Sequence, residues 1–268
     1  MSTPTLLLHF SDTHITEPGR LLLGRVDTPT LLQQAVASVL AADYRPDALL
    51  ISGDLVDHGS AEEYAHLRRL LAPLACRIYL MAGNHDDRMA LQAALPEICP
   101  PSDLPPFVQY AVDIGGLRLI ALDTVVAGAP HGELCAARLA WLERRLAEAP
   151  ERPTVVAMHH APFATGIAHM DAMGLLQGGP ELDSLLRRHP QVERLLCGHL
   201  HRPIQRRFGG TLAMTVPSTA HQIHLDLTSE APAQFCLEPP GYALHLLREG
   251  HVLTHLVASG RYGEPQAF

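Results

Sequence analysis

Charge is scarce in this chain. Asp, Glu, Lys and Arg make up only 18% of its 268 residues, and the formal net charge is −8. No basic stripe of the kind a long phosphate backbone requires is present, so long nucleic acid is not an expected partner. Arg202, Arg206 and Arg207 form one basic group, which a solvated strand face explains as well as a phosphate contact does. Long apolar runs are missing too: no window reaches the ~18 uninterrupted residues of a membrane span. Met1 to Leu8 carry no basic leader, and their apolar run is too short for a secretory signal. Cysteine is sparse. Cys76, Cys99, Cys135, Cys197 and Cys236 are odd in number and show no C-x-x-C spacing, which fits reduced, packed thiols in a cytoplasmic protein. Internal repeats and low-complexity tracts are absent. Hydrophobic content of 47% in a chain of this length supplies a real core, for one domain or one domain with an appendage.

Against that plain background stand five short polar clusters: Asp12-Thr13-His14, Gly53-Asp54, Gly83-Asn84-His85-Asp86, His159-His160 and Gly198-His199-Leu200-His201. Each follows a short apolar run, namely Thr5–Phe10, Ala48–Ser52, Ile78–Met81, Thr154–Met158 and Leu195–Cys197, and these runs read as buried strands. Helical patterns lie between them. Thr28 as N-cap with Pro29 at the first position opens one, whose face carries Leu31, Leu32, Ala35, Val36, Val39 and Leu40. Ser60 to Glu63 forms a capping box ahead of Tyr64, Leu67, Leu70 and Leu71. Leu139, Leu142 and Leu146 mark a third helix beside Trp141, and Gly179-Pro180 starts a fourth. Strands alternating with helices imply an α/β fold, in which ligands gather at the carboxyl ends of strands. Every cluster begins at such an end.

The clusters are rich in metal ligands. Asp12 and Asp54 offer carboxylates, Asn84 an amide, and His14, His159, His199 and His201 imidazoles. Seven ligands are too many for one metal and suit two that share a carboxylate.

The ordered set D-x-H, G-D, G-N-H-D, H-H and G-H-x-H resembles the calcineurin-like metallophosphoesterase superfamily. Within it the chain is most similar to class III cyclic-nucleotide phosphodiesterases and bacterial glycerophosphodiesterases. Gly24-Arg25-Val26-Asp27-Thr28 and Pro217-Ser218-Thr219-Ala220-His221-Gln222 add to the resemblance, which covers about residues 5 to 225. It implies a four-layer α/β/β/α sandwich of two mixed sheets with flanking helices. A catalytic domain over 1–225 would be followed by a C-terminal extension over 226–268, part of the same compact unit. It also implies two divalent ions (Mn, Fe, Zn or Co). Asp12, His14, Asp54 and His201 would hold the first, and Asp54, Asn84, His159 and His199 the second, with Asp54 bridging. His160 would support or pack. His85 would stand beside the scissile phosphate as proton donor or charge stabiliser, and His221 would be a second substrate contact. The implied reaction is attack of a metal-bound hydroxide on a small phosphodiester, a 3′,5′-cyclic nucleotide or a glycerophosphodiester, without a covalent intermediate. A homodimer or larger homo-oligomer is implied as well.

Departures from sibling families narrow the reading. Protein phosphatases resemble this pattern but carry Arg at the position of His58, a clamp for monoesters, and Glu at that of Asp86. Purple acid phosphatases place Tyr where this chain has Asp57. Diester hydrolysis is therefore expected, over a nuclease-type or broad-specificity phosphoesterase or a non-enzymatic scaffold. Two bound cations would bring the net charge from −8 to about −4 around a locally positive site, which suits a small anion. Asp57, Asp123 and Thr124 read as turn residues or as buttresses of the site. His9, His58, His66, His131, His169, His189, His245, His251 and His255 lack motif context and read as surface or packing residues. Residues 96–106 read as an irregular connection, residues 164–179 as a loop over the site or a flexible crossover, and the end of the chain as a hairpin around Glu249-Gly250.

Overall fold

Apolar runs that stop abruptly at glycine or a polar residue do become strands in this molecule, a computed structural model that describes residues 4–260, 262, 263, 266 and 267. Residues 1–3 of the amino-terminal stretch and the remaining tail positions of the 226–268 extension lie outside the described residues. In chain order the first half holds β1 (Thr5–Phe10), α1 (Thr28–Ala41), β2 (Ala48–Ile51), α2 (Ala61–Leu71), β3 (Arg77–Leu80), α3 (Arg88–Ala94), β4 (Tyr110–Ile114), β5 (Leu117–Leu122) and β6 (Gly132–Glu133). The second half holds α4 (Ala136–Ala147), β7 (Thr154–Met158), α5 (Ala168–Asp171), β8 (Leu175–Gln177), α6 (Gly179–Arg187), β9 (Val192–Cys197), β10 (Gln205–Phe208), β11 (Thr211–Thr215), β12 (Gln222–Ile223), β13 (Phe235–Cys236), β14 (Gly241–Arg248) and β15 (His251–Ala258).

Two mixed sheets result. The first runs β15-β14-β1-β2-β3 and the second β10-β11-β9-β7-β5-β4. Strands β1, β2 and β3 are parallel, as are β5, β7, β9 and β11, and antiparallel partners flank both sets. Side chains alternate between faces along each strand. Leu8 and Phe10 of β1, with Leu49 and Ile51 of β2, pack under α1, α2 and α3 through Leu32, Val36, Tyr64, Leu67 and Leu91. Leu7 and Leu50 face the other way and meet Leu119, Val155, Leu196 and Met214 of the second sheet. Trp141, Leu142 and Leu146 of α4 and Leu182, Leu185 and Leu186 of α6 cover the far side of that sheet. The expected α/β/β/α layering stands.

Local signals behave as their chemistry dictates, with one correction. The Ser60 capping box forms: its hydroxyl accepts from the Glu63 N–H at 3.2 Å while the Glu63 carboxylate accepts from the Ser60 N–H at 3.1 Å. Helix α1, however, is capped by Asp27 and not by Thr28. Asp27 accepts from the Thr30 N–H at 3.1 Å, whereas the Thr28 hydroxyl is spent on the His14 carbonyl at 2.7 Å. Segment 164–179 is neither a plain loop nor a free crossover. It contains α5 and β8, buries Met170, and is pinned by the Asp171 carboxylate, which accepts from the Thr165 and Gly166 N–H groups. Residues 96–106 are irregular, as expected. The terminal hairpin pairs with β1, so the chain after residue 225 supplies two strands of the first sheet.

The inter-sheet core also buries His9 and His245 completely. Burial pushes His245 down to about 3, with Arg194 adding to the effect, and lowers His9 in the same direction. These imidazoles are neutral when folded and take up a proton on unfolding. Their contribution to stability is thus complete above the ordinary histidine pKa of ~6.5 and is lost as pH falls through the window toward 3. Urea unfolding of wild type and His245→Gln at a series of pH values checks this. The wild type should lose up to about 1.4 kcal/mol more per pH unit below ~6.5. Parallel profiles would show that His245 does not set the acid limit.

Candidate metal centre

The clusters converge because five parallel strands from two sheets end on one edge. Asp12 and His14 follow β1, Asp54 follows β2, Asn84 and His85 follow β3, His159 follows β7, and His199 and His201 follow β9. Backbone pairing continues past the strands. The Asp12 N–H donates to Gly53 O at 3.1 Å and the His14 N–H to Asp54 O at 2.9 Å, while Gly198 N–H donates to His159 O at 3.1 Å. The two sheets are stitched across the site by the His199 N–H, which donates to the Asp12 carboxylate at 3.0 Å, and by His159 Nδ1, which donates to Ser52 O at 2.8 Å.

The backbone is strained where these side chains turn inward. Asp12, His14, Asp54, His199 and His201 all have positive φ, between 42° and 68°, a region other residues avoid at a cost of order 1–2 kcal/mol each. Five tight reversals let consecutive motif residues aim at one point. Gly83 permits the closest approach: a Cβ there would lie 2.2 Å from Asp54 Oδ1 and 2.3 Å from the Asp54 nitrogen. Gly83→Ala should therefore displace Asp54 and cut turnover by about a hundredfold, the scale of an ångström-sized misplacement. Metal content and rate measured on the same preparation check this, and wild-type values for both would remove the constraint.

Two groups of ligand atoms form. Side-chain donors of Asp12, His14, Asp54 and His201 lie within 4.8 Å of one another. His201 Nδ1 donates to His221 O at 2.9 Å, so its bare Nε2 faces His14 Nε2 at 3.1 Å and Asp12 Oδ1 at 3.4 Å. On the other side, His159 Nε2 faces Asn84 Oδ1 at 3.1 Å. Asp54 Oδ2 lies between the groups, 3.7 Å from His14 Nε2 and 3.4 Å from His159 Nε2. His199 stacks edge-on to His159, with centroids 5.1 Å apart. Among the described residues, His14 Nδ1, His199 Nε2 and His221 Nδ1 are buried without a hydrogen-bond partner.

Electrostatics point the same way. Burial lowers His14, His199, His201 and His221, with neighbouring imidazoles adding to the effect; His199 falls to about 3 and His201 to about 4. Neutral imidazoles keep the lone pairs a metal needs. Burial pushes Asp12 up to about 7. It would raise Asp54 too, but the adjacent His159 holds Asp54 well below the usual carboxylate range. Burial also opposes charge on His159, yet Asp54 and Asp12 push it up to about 9. A proton on His159 answers the same demand for positive charge that a bound cation would meet. The donor set and the orphaned nitrogens fit divalent metal.

The sequence profile of the calcineurin-like phosphoesterases matches residues 5–203. The chain belongs to that family. A probable glycerophosphodiester phosphodiesterase, GpdQ of Arcobacter nitrofigilis, is 32% identical over 98% of this chain and 96% of its own length. The 3′,5′-cyclic adenosine monophosphate phosphodiesterase CpdA of Pseudomonas aeruginosa is 36% identical over 93% of this chain and 88% of its own. Among solved structures, a dimetal phosphatase from Danio rerio shares the fold, with a TM-score of 0.67 at 14% identity over 96% of this chain and 99% of that one.

In this phosphoesterase the remaining expected residues also gather at the centre. His85 Nδ1 donates to Asp57 O at 2.9 Å, and its ring lies 4.7 Å from that of His14 with 40% of the side chain open to solvent. Burial opposes its charge, but Asp57 and Asp54 push it up to about 10. His221 packs between His201, at 4.5 Å, and Phe235, at 5.2 Å. His160 groups with His159 and His199, a ligand atom of each lying within 4.8 Å of the others, but its nitrogens are engaged: Nδ1 lies 2.8 Å from the Thr124 hydroxyl and Nε2 donates to Pro130 O at 3.1 Å, leaving no free lone pair. Thr124 thus buttresses the site, and the buried Asp123 anchors the loop through a bidentate pair with Arg88 at 2.7 Å. Arg202 is turned away, donating to Ile223 O and Glu238.

Two contributors escaped the sequence reading. The buried Asp86 accepts from the Gly83 and Leu55 N–H groups and from the Tyr64 hydroxyl, tying two ligand loops to α2. The Ser218 hydroxyl donates to Asp12 O at 2.8 Å. Their places inside quoted motifs were the available signal.

Proposed function

We propose that this phosphoesterase hydrolyses small phosphodiesters, either 3′,5′-cyclic nucleotides or glycerophosphodiesters, at a centre of two divalent ions drawn from Mn, Fe, Zn and Co. The observation that carries the reading is the placement of Asp54 Oδ2 between the His14 and His159 groups. Asp12, His14, Asp54 and His201 would hold one ion, and Asp54, Asn84, His159 and His199 the other. Such ions supply an activated water and neutralise charge on the phosphoryl oxygens. The chain's own residues do the rest. His85, held by Asp57 O and half open to solvent, donates a proton to the leaving alkoxide. Asn84 contributes a neutral oxygen, and His221 contacts the substrate from the side of Phe235.

Diester chemistry is supported by His58 standing where a monoester clamp would be, and by relatives whose names describe diesterases. Two cavities are available for the alcohol portions. One of about 490 Å³ is lined by Arg20, Leu21, Leu23 and Asp57, the residue that holds His85. The other, of about 570 Å³, is lined by Val26, Phe235 and Leu237 beside Arg25. Among the described residues no helix is long and apolar enough to cross a membrane. A cytoplasmic location and a homodimer or larger assembly belong to the same proposal.

The test is product-resolved hydrolysis by Mn²⁺-reconstituted protein on 3′,5′-cyclic AMP, 2′,3′-cyclic AMP, glycerophosphoethanolamine and bis(p-nitrophenyl) phosphate. Turnover confined to the 3′,5′-cyclic nucleotide or to the glycerol diester selects between the two classes. Hydrolysis of p-nitrophenyl phosphate, a monoester run alongside, with no turnover of any of the four diesters would overturn the diester reading.

A further inference from the structure

One polar thread runs from the Asp12 ligand loop into the apolar space between the sheets, and nothing in the chemistry above uses it. His9 and Ser52 follow Leu7 and Leu50 on the inter-sheet faces of β1 and β2, and His245 sits opposite Leu7 on β14. All three are fully buried, as is Ser11. Their polar atoms form an unbroken series. Thr254 Oγ1 lies 2.9 Å from His245 Nδ1, His245 Nε2 lies 3.1 Å from His9 Nδ1, and His9 Nε2 lies 2.9 Å from Ser52 Oγ. Ser52 Oγ then donates to Ser11 Oγ at 2.7 Å. A Cβ on Gly198 would meet both Ser11 Oγ, at 2.2 Å, and Asp12 Oδ2, at 3.1 Å, so the hydroxyl and the carboxylate lie side by side, and Ser11 favours the charged form of Asp12.

The bond between the two serines fixes the direction of the others. Ser11 accepts from Ser52, which leaves its own proton for the Asp12 carboxylate, an acceptor only. Ser52 has then used its one proton and accepts from His9 Nε2–H. A neutral His9 protonated there has a bare Nδ1, which accepts from His245 Nε2–H. His245 in turn has a bare Nδ1, which accepts from the Thr254 hydroxyl. Five donors point one way, each polarising the next. The opposite polarity would leave the buried Asp12 oxygen facing a lone pair.

We propose that Thr254, His245, His9, Ser52 and Ser11 form a positioning relay that orients and polarises the Asp12 carboxylate for its cation, from the outer edge of the first sheet. The proposal rests on the two-metal reading above. Hydrogen-bonding partners behind a ligand of this kind typically change metal affinity by about 10–100-fold when removed. The site that contains Asp12 should respond far more than the other, which the thread meets only through backbone atoms of Ser52 and His199.

Calorimetric titration of the metal-free chain with Mn²⁺, resolving the two sites, provides the test, with circular dichroism confirming the fold of each variant. His9→Leu should weaken the Asp12-containing site by about 10–100-fold and leave the Asn84-containing site within about twofold. His9→Gln, whose amide can donate to Ser52 and accept from His245, should recover most of the affinity. Thr254→Val, half-buried at the far edge and close in shape, should weaken the same site by a few-fold, an effect that a packing role would not produce. Unchanged affinity in both His9→Leu and Thr254→Val would overturn the relay. Equal weakening of both sites without rescue by Gln would overturn it too, as a general loss of core packing. A wild-type chain that binds no Mn²⁺ would overturn the two-metal reading itself, and that result is visible before any variant is made.

Discussion

Asp54→Ala should lose both metal ions and about a thousandfold or more in turnover, equivalent to about 4 kcal/mol of transition-state stabilisation. The reason is positional. Asp54 Oδ2 faces both histidine groups while Oδ1 accepts from the His85 N–H at 2.9 Å, so in the proposed centre one carboxylate would serve two cations and the acid. Asp54 is buried, and its charge holds His159 and His85 above the ordinary histidine value. Removing it leaves His14 and His159 without the carboxylate oxygen that faces both. Alanine also fits poorly at φ 48°, so Asp54→Asn, which tolerates that backbone, is the companion variant. Metal content after Mn²⁺ reconstitution should fall from about two ions per chain to fewer than one in both. Asn84→Ala should behave differently, losing the second ion alone and recovering part of its activity in excess Mn²⁺. Two ions and full activity in Asp54→Ala would remove the bridge.

Much of this arrangement was legible in the sequence, and for identifiable reasons. A buried parallel strand is mostly apolar until it leaves the sheet, so Ala48–Ile51 and Thr154–Met158 announce their ends at Ser52 and His159. The Ser60 capping box was equally plain because both partners lie within four residues. Thr28 was misread because its hydroxyl answers a tertiary demand, the His14 carbonyl, and not the local one. Segment 164–179 hid a four-residue helix and a three-residue strand, too short for any period to register. His9 and His245 are 236 positions apart, and no pattern along the chain marks two strands that will become neighbours. The ligand types could be counted from the clusters. That Asp54 stands between the two groups was implied by the family resemblance alone, and the distances that place it there came with the fold.

His85→Ala should reduce turnover of an alkyl diester by about 10²–10³-fold while keeping both metals, because the residue contributes a proton and not a lone pair to the centre. Its Nδ1 is committed to the Asp57 carbonyl at 2.9 Å, and its exposed edge is the part that meets incoming substrate. The bias toward charge is supplied locally: Asp57 and Asp54 outweigh burial and push the imidazole up to about 10. The decisive comparison is between leaving groups. A glycerol or ribose alkoxide needs a proton as the P–O bond breaks, whereas p-nitrophenolate departs without one. The loss in His85→Ala should therefore shrink to less than about tenfold on bis(p-nitrophenyl) phosphate. Equal losses on both substrates would reassign His85 to stabilising charge on the phosphoryl oxygens. Loss of metal from His85→Ala would make it a ligand, which its bond to Asp57 and its half-open ring argue against.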